Sequence, residues 1–133
     1  MRVIKFRGKI RGTGEWIHGA FIPADYTYWR EPSIVNLNRR FEINPKTLGM
    51  YTGFHDDDGI EIYEGDILDI SIYFLGTGKE KTFRSAVEFA KGAMEVRESG
   101  EFAYNFDYLM TSDFIKSIVI GNIYDNPELL EET

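Results

Sequence analysis

The chain has 133 residues, a formal net charge of −7 and no cysteine. A length of this order makes one domain that buries roughly two-thirds of its unfolded surface, and 43% hydrophobic with 15% aromatic content excludes a disordered chain despite the acidic balance. The lack of cysteine excludes a disulfide framework, a thiolate zinc site and a cysteine nucleophile.

Near the start, Ile4, Phe6 and Ile10 share one parity, and Lys5, Arg7, Lys9 and Arg11 share the other. A period of two predicts a strand with an apolar face and a cationic face. Gly12-Thr13-Gly14 then turns the chain, and residues 15–22 return as the second strand of a hairpin. Residues 23–33 mix two prolines with Tyr26, Tyr28 and Trp29, which reads as a loop folded on its aromatics. Short strands are expected over 34–38 and 40–43, Asn44-Pro45 breaks the chain, and 47–54 is the next strand. Asp56-Asp57-Asp58-Gly59 sits between that strand and the alternating run 60–63, a strong hairpin signal. Further strands are predicted over 67–74, 82–89, 93–97 and 116–124, while 101–112 is ambiguous between loop and helix. Asn126-Pro127-Glu128 supplies an N-cap, a first-position proline and a first-turn acid for a short C-terminal helix. Many short strands punctuated by glycine predict a mainly-β barrel or roll, with no repeat and no linker. No run approaches the ~18 apolar residues of a membrane span, and Val3-Ile4 is too short for a signal-peptide core. A soluble cytoplasmic protein with no membrane partner is the expectation.

The usual chemical constellations do not form. An EF-hand counted from Asp56 needs acids at its third and fifth positions and glycine at its sixth, but here the fourth is Gly59 and the fifth Ile60. A phosphate-binding loop ending at Gly78-Lys79 needs glycine at 73 and Ser or Thr at 80, where Tyr73 and Glu80 stand. Two histidines, His18 and His55, are too few for a histidine-rich zinc site and leave only mixed ligation with carboxylates. Glu64 and Asp66 flank Gly65 as turn chemistry asks, without a catalytic reading. The expectation is a protein that is not an enzyme, with no catalytic residues, no metal site and no cofactor.

Charge is distributed unevenly. Residues 1–46 carry nine basic groups against four acids, a balance of +5, and the remaining residues carry six against eighteen, a balance of −12. If folding intermixes the two parts, the surface is mildly acidic throughout. If it keeps them apart, the split marks an interaction surface, within one molecule or between copies. The best binding candidate is the cationic strand face Lys5, Arg7, Lys9 and Arg11. Side chains two apart on a strand lie roughly 6–7 Å from each other, near the phosphate repeat of a nucleic acid, and Trp16, Tyr26, Tyr28 and Trp29 could offer stacking platforms. The acidic chain as a whole would repel a polyanion, so a solvated or self-pairing face is favoured over nucleic-acid binding.

The segment GMYTGFHDDDGIEIYEGDIL (49–68), the opening IKFRG (4–8), VEFAKGAMEV (87–96) and the ending VIGNIYDNPELL (119–130) together resemble the YopX family of small phage- and prophage-encoded proteins. The motifs occur in the family's order over nearly the whole chain, with Phe54 where leucine is usual and Asp125 where glutamate is usual. The resemblance implies one domain over 1–133 with an SH3-like barrel, located in the cytoplasm of a bacterial host. It implies no reaction. Its signature glycines, Tyr51, Tyr63, Tyr124 and Asn126-Pro127-Glu128 read as turn formers, half-buried aromatics and a helix cap. The combined expectation is an accessory protein that binds or self-assembles as a homo-oligomer or with a host or phage protein. A nucleic-acid-binding small barrel is the alternative.

Overall fold

Short strands punctuated by glycine dominate the computed structural model, which describes residues 4–24, 31–98 and 102–131. The chain divides into two compact units, Met1–Gly53 and Phe54–Thr133.

In the first unit, β1 (Phe6–Ile10) and β2 (Trp16–Ile22) form the expected hairpin, with Lys9 opposite Trp16 and Arg7 opposite His18. β2 pairs with β3 (Ser33–Asn36), and β3 with the long β4 (Arg39–His55). β4 also pairs with the free side of β1, so the run of pairings returns to its first strand. The separate strands expected at 40–43 and 47–54 are thus one. Pro45 has no N–H to give to a ladder, and between Arg7 opposite Gly49 and Lys9 opposite Asn44 the register shifts at a bulge. Within that bulge Thr47 Oγ1 accepts from Lys9 N at 2.9 Å and donates to Asn44 O at 2.6 Å, so the ladder position is refilled by a hydroxyl. Ile34 and Ile43 are fully buried here, and Phe6 packs on Phe21 with ring centroids 5.6 Å apart. A Cβ on Gly8 would lie 2.8 Å from Ile43 Cδ1, so this strand packs closely only through a glycine. Ile4, expected on the apolar face, precedes β1 and is exposed. The predicted aromatic loop at Tyr26, Tyr28 and Trp29 lies outside the described residues.

In the second unit, β5 (Glu61–Tyr63) follows the turn at 56–60, closed by Asp56 N donating to Ile60 O at 2.8 Å. β6 (Asp66–Phe74) pairs with β7 (Lys79–Ala86) on one side and β11 (Ile115–Asn122) on the other. β9 (Ala93–Glu98) lies between β8 (Glu88–Ala90) and β10 (Phe102–Asn105) in a second sheet. The ambiguous segment therefore becomes β10 followed by α1 (Phe106–Thr111). Asn105 decides the change of state, because its Oδ1 accepts from Asp107 N at 2.9 Å and Tyr108 N at 3.4 Å.

The alternation in β6 sends Leu68, Ile70 and Ile72 inward, where they meet Val87, Val96, Phe106, Leu109 and Ile115. That packing corrects the expected barrel. The sheets do not close into one barrel, and in this unit the apolar face of β6 is covered by β9 and α1. The described residues are mainly β with one short α-helix. The expected C-terminal helix is a single 3-10 turn, Pro127–Leu130, and no side-chain bond from Asn126 caps it.

Candidate functional site

Lys5, Arg7 and Lys9 share one face of the first unit, as their parity predicts, but it is not a bare cationic surface. The pairing of β1 with β2 brings Trp16 onto the same face, and Tyr51 of β4 joins it. The Arg7 guanidinium carbon lies 4.6 Å and Lys9 Nζ 5.5 Å from the Trp16 ring centroid, while Lys5 Nζ lies 5.0 Å from that of Tyr51. Such contacts are worth about 0.5–1 kcal/mol at the surface and about 2 or more when desolvated. Arg7 retains only 7% of its exposure, and Lys5 and Lys9 are half-buried along their stems. The face is therefore already occupied: a base stacking on Trp16 from the side of these cations would displace them.

Arg11 does not join the other three. It lies just past β1 in the turn, donates its backbone N–H to Glu42 O at 2.9 Å and pairs with Glu31 at 3.6 Å through half-exposed side chains. An exposed pair of that kind contributes about 0–1 kcal/mol. What the sequence pattern could not show was that the onset of the turn at Arg11 ends the face at Lys9.

The acidic motif is a structural clasp. Asp56 is buried, its Oδ1 accepts from Asp58 N and Ile60 N at 2.9 Å each, and its Oδ2 accepts from Val119 N at 2.8 Å. Asp57 exchanges bonds with Ser117, accepting from its N–H at 2.9 Å and donating its own to Ser117 O at 3.0 Å. The Asp56 and Asp57 carboxylates thus fasten the turn to β11. Asp66, also buried, accepts from Tyr63 N at 2.7 Å across the Glu64-Gly65 turn. Asn126 turns back instead of capping: its Oδ1 accepts from Asn122 N at 3.2 Å and occupies the space where a Gly121 Cβ would project, 2.6 Å away. The Gly76-Thr77-Gly78-Lys79 segment is the β6–β7 turn, with Gly78 N donating to Phe74 O at 2.9 Å. His18 on β2 and His55 at the end of β4 are both exposed. Among the described residues, no group of three or more His, Asp or Glu is placed to hold a metal ion, and no helix is long and apolar enough to cross a membrane.

The charge split survives folding. Residues 47–53 carry no charge, so the balance of +5 belongs to the whole unit Met1–Gly53 and −12 to Phe54–Thr133. Each unit carries both signs, but the net balance changes sign at the boundary between them.

Comparison with known proteins agrees with this architecture. The crystal structure of protein EF1440 from Enterococcus faecalis is similar to the chain, with a TM-score of 0.58, 22% sequence identity, and coverage of 98% of this chain and 99% of that one. At that identity the likeness speaks for the fold. No curated protein matches the chain. The profile described as YopX protein matches residues 5–131, across both units and through the clasp at Asp56, the Glu64-Gly65-Asp66 turn and the Gly121–Asn126 closure. The chain belongs to the YopX family.

Proposed function

We propose that this chain is a non-catalytic phage or prophage accessory protein of the bacterial cytoplasm that works by associating with further copies of itself. The observation that carries the reading is the coincidence of the charge division with the boundary between the units, +5 on one side and −12 on the other. Opposed surfaces of that kind attract over about a Debye length, ~10 Å at 0.1 M salt, and steer encounter. The cationic contribution comes from exposed groups such as Arg39 and Lys46 together with the ammonium heads of Lys5 and Lys9, since Arg7 is buried. An SH3-like character, in this reading, attaches to the first unit, whose pairings return to β1.

Nucleic-acid binding is less well supported. The Trp16 and Tyr51 rings already carry cations, and the whole molecule is acidic. Sedimentation velocity at low salt, comparing the wild type with Lys5→Glu/Lys9→Glu, tests the two readings together with an electrophoretic shift on an oligonucleotide. The expected result is association of the wild type, loss of it in the variant, and no oligonucleotide shift by either. A variant that associates as the wild type does, or a wild type that binds the oligonucleotide and stays monomeric, overturns the reading.

A further inference from the structure

Leu37 stands at the tip of the β3–β4 hairpin with φ of 49°, followed by Asn38 at 65°, and 90% of its surface is exposed. Two successive positive φ values suit a two-residue hairpin loop, where asparagine, aspartate and glycine are the favoured residues. Leucine there is unfavourable twice, through its backbone conformation and through its bare side chain. Arg39 beside it is exposed, and Arg40 pairs with Glu42 at 3.4 Å. The tip therefore offers one branched apolar group next to a cation.

The second unit holds a hollow of matching chemistry. On the outer face of the β11–β6–β7 sheet, Ser71, Tyr73, Glu80, Asp113, Phe114 and Lys116 surround a depression of about 290 Å³. The register sets Tyr73 beside Glu80 and Ser71 beside Lys116. Tyr73 and Phe114 are 45% and 46% exposed, and Leu75 at the adjoining turn is 67% exposed. A volume just below the roughly 300–1,000 Å³ of small-molecule sites suits an inserted side chain better than a cofactor. Its walls are two aromatic rings, two carboxylates and one ammonium, in a unit of net −12.

Building on the self-association reading, we propose that this hollow receives the Leu37–Arg39 hairpin tip of a second copy. Leu37 lies against Tyr73 and Phe114, and Arg39 meets Glu80 and Asp113. Charge complementarity selects the occupant: the tip belongs to the basic unit and the hollow to the acidic one. Because tip and hollow are different surfaces, variants defective on opposite sides complement each other when mixed.

The test uses Leu37→Asn and Glu80→Lys/Asp113→Lys, each alone and then mixed, by sedimentation velocity at low salt. Each variant alone is expected to associate at least about tenfold more weakly than the wild type, and the mixture to form a 1:1 heterodimer. Leu37→Asn is also expected to melt above the wild type, because asparagine tolerates positive φ, which separates lost association from lost folding. Wild-type association retained in both single variants, or a mixture that stays monomeric, overturns the proposal and leaves the self-association reading standing. A wild type that is itself monomeric overturns both.

Discussion

Gly121→Ala is a sharp test of whether the C-terminal family motif is a packing device. The added Cβ would lie 2.6 Å from Asn126 Oδ1, 2.8 Å from its Cγ and 2.9 Å from its Cβ. Ordinary contact begins at 3.4 Å, so the Asn126 side chain must retreat by about 0.8 Å. It has little freedom to do so. Its Oδ1 accepts from Asn122 N at 3.2 Å, its own N–H donates to Asn122 O at 2.8 Å, and its carbonyl accepts from Leu129 N at 3.1 Å. Overpacking costs about 1–3 kcal/mol and the lost bond about 1 kcal/mol, which together give about 2–4 kcal/mol. For a chain of this length that corresponds to a fall in Tm on the order of 10 °C. Urea and thermal unfolding of Gly121→Ala, Asn126→Gly and the double variant measure it. The double variant is expected to lose less than the sum of the singles by about 1 kcal/mol or more, since the clash needs both side chains. A Gly121→Ala protein within about 0.5 kcal/mol of the wild type, or strictly additive losses, would refute the reasoning.

The same logic extends to the clasp: Asp56→Ala should destabilise by about 3 kcal/mol, because Val119 N loses its charged acceptor and the turn loses two bonds. Hydrogen exchange should show the Val119 and Ile60 amides opening first, and unchanged protection there would contradict the role given to Asp56. Tyr104 donates to Glu98 Oε1 at 2.9 Å, and burial, followed by the nearby charge of Tyr108, raises its phenol above the ordinary 10.0. A raised folded value means that its contribution to stability is intact below pH 10 and falls as pH rises through that value. Ultraviolet titration should therefore show one late-titrating phenol that is missing in Tyr104→Phe, and a titration the same in both proteins would count against this.

Period-two patterning made β6 legible, because Leu68, Ile70 and Ile72 enter a core and side-chain direction alternates strictly along a strand. The Asp56–Gly59 turn was legible for a different reason, namely the glycine at a turn of positive φ (84°) between two alternating runs. The Leu37-Asn38 hairpin was not, since leucine is no turn signal and its conformation is imposed by the pairing of β3 with β4. Likewise Asn126 carries the local pattern of a helix cap, yet its side chain is claimed by Asn122 and by the vacant Cβ position of Gly121. Tertiary partners decide such cases, and no local pattern names them. The cationic face was half legible. Parity placed Lys5, Arg7 and Lys9 together, but the burial of Arg7 depends on Trp16 from β2, and the hollow at Tyr73 and Phe114 joins residues some forty positions apart. The charge split was visible as arithmetic, and only the boundary at Gly53 turned it into a property of two folded units.

The most direct measurement of that property is the mass of the wild-type protein by sedimentation equilibrium at tens of micromolar, from low to high salt. A species heavier than the 15.4 kDa chain is expected at low salt, dissociating as the salt rises. A monomer of unchanged mass across the whole range would contradict it.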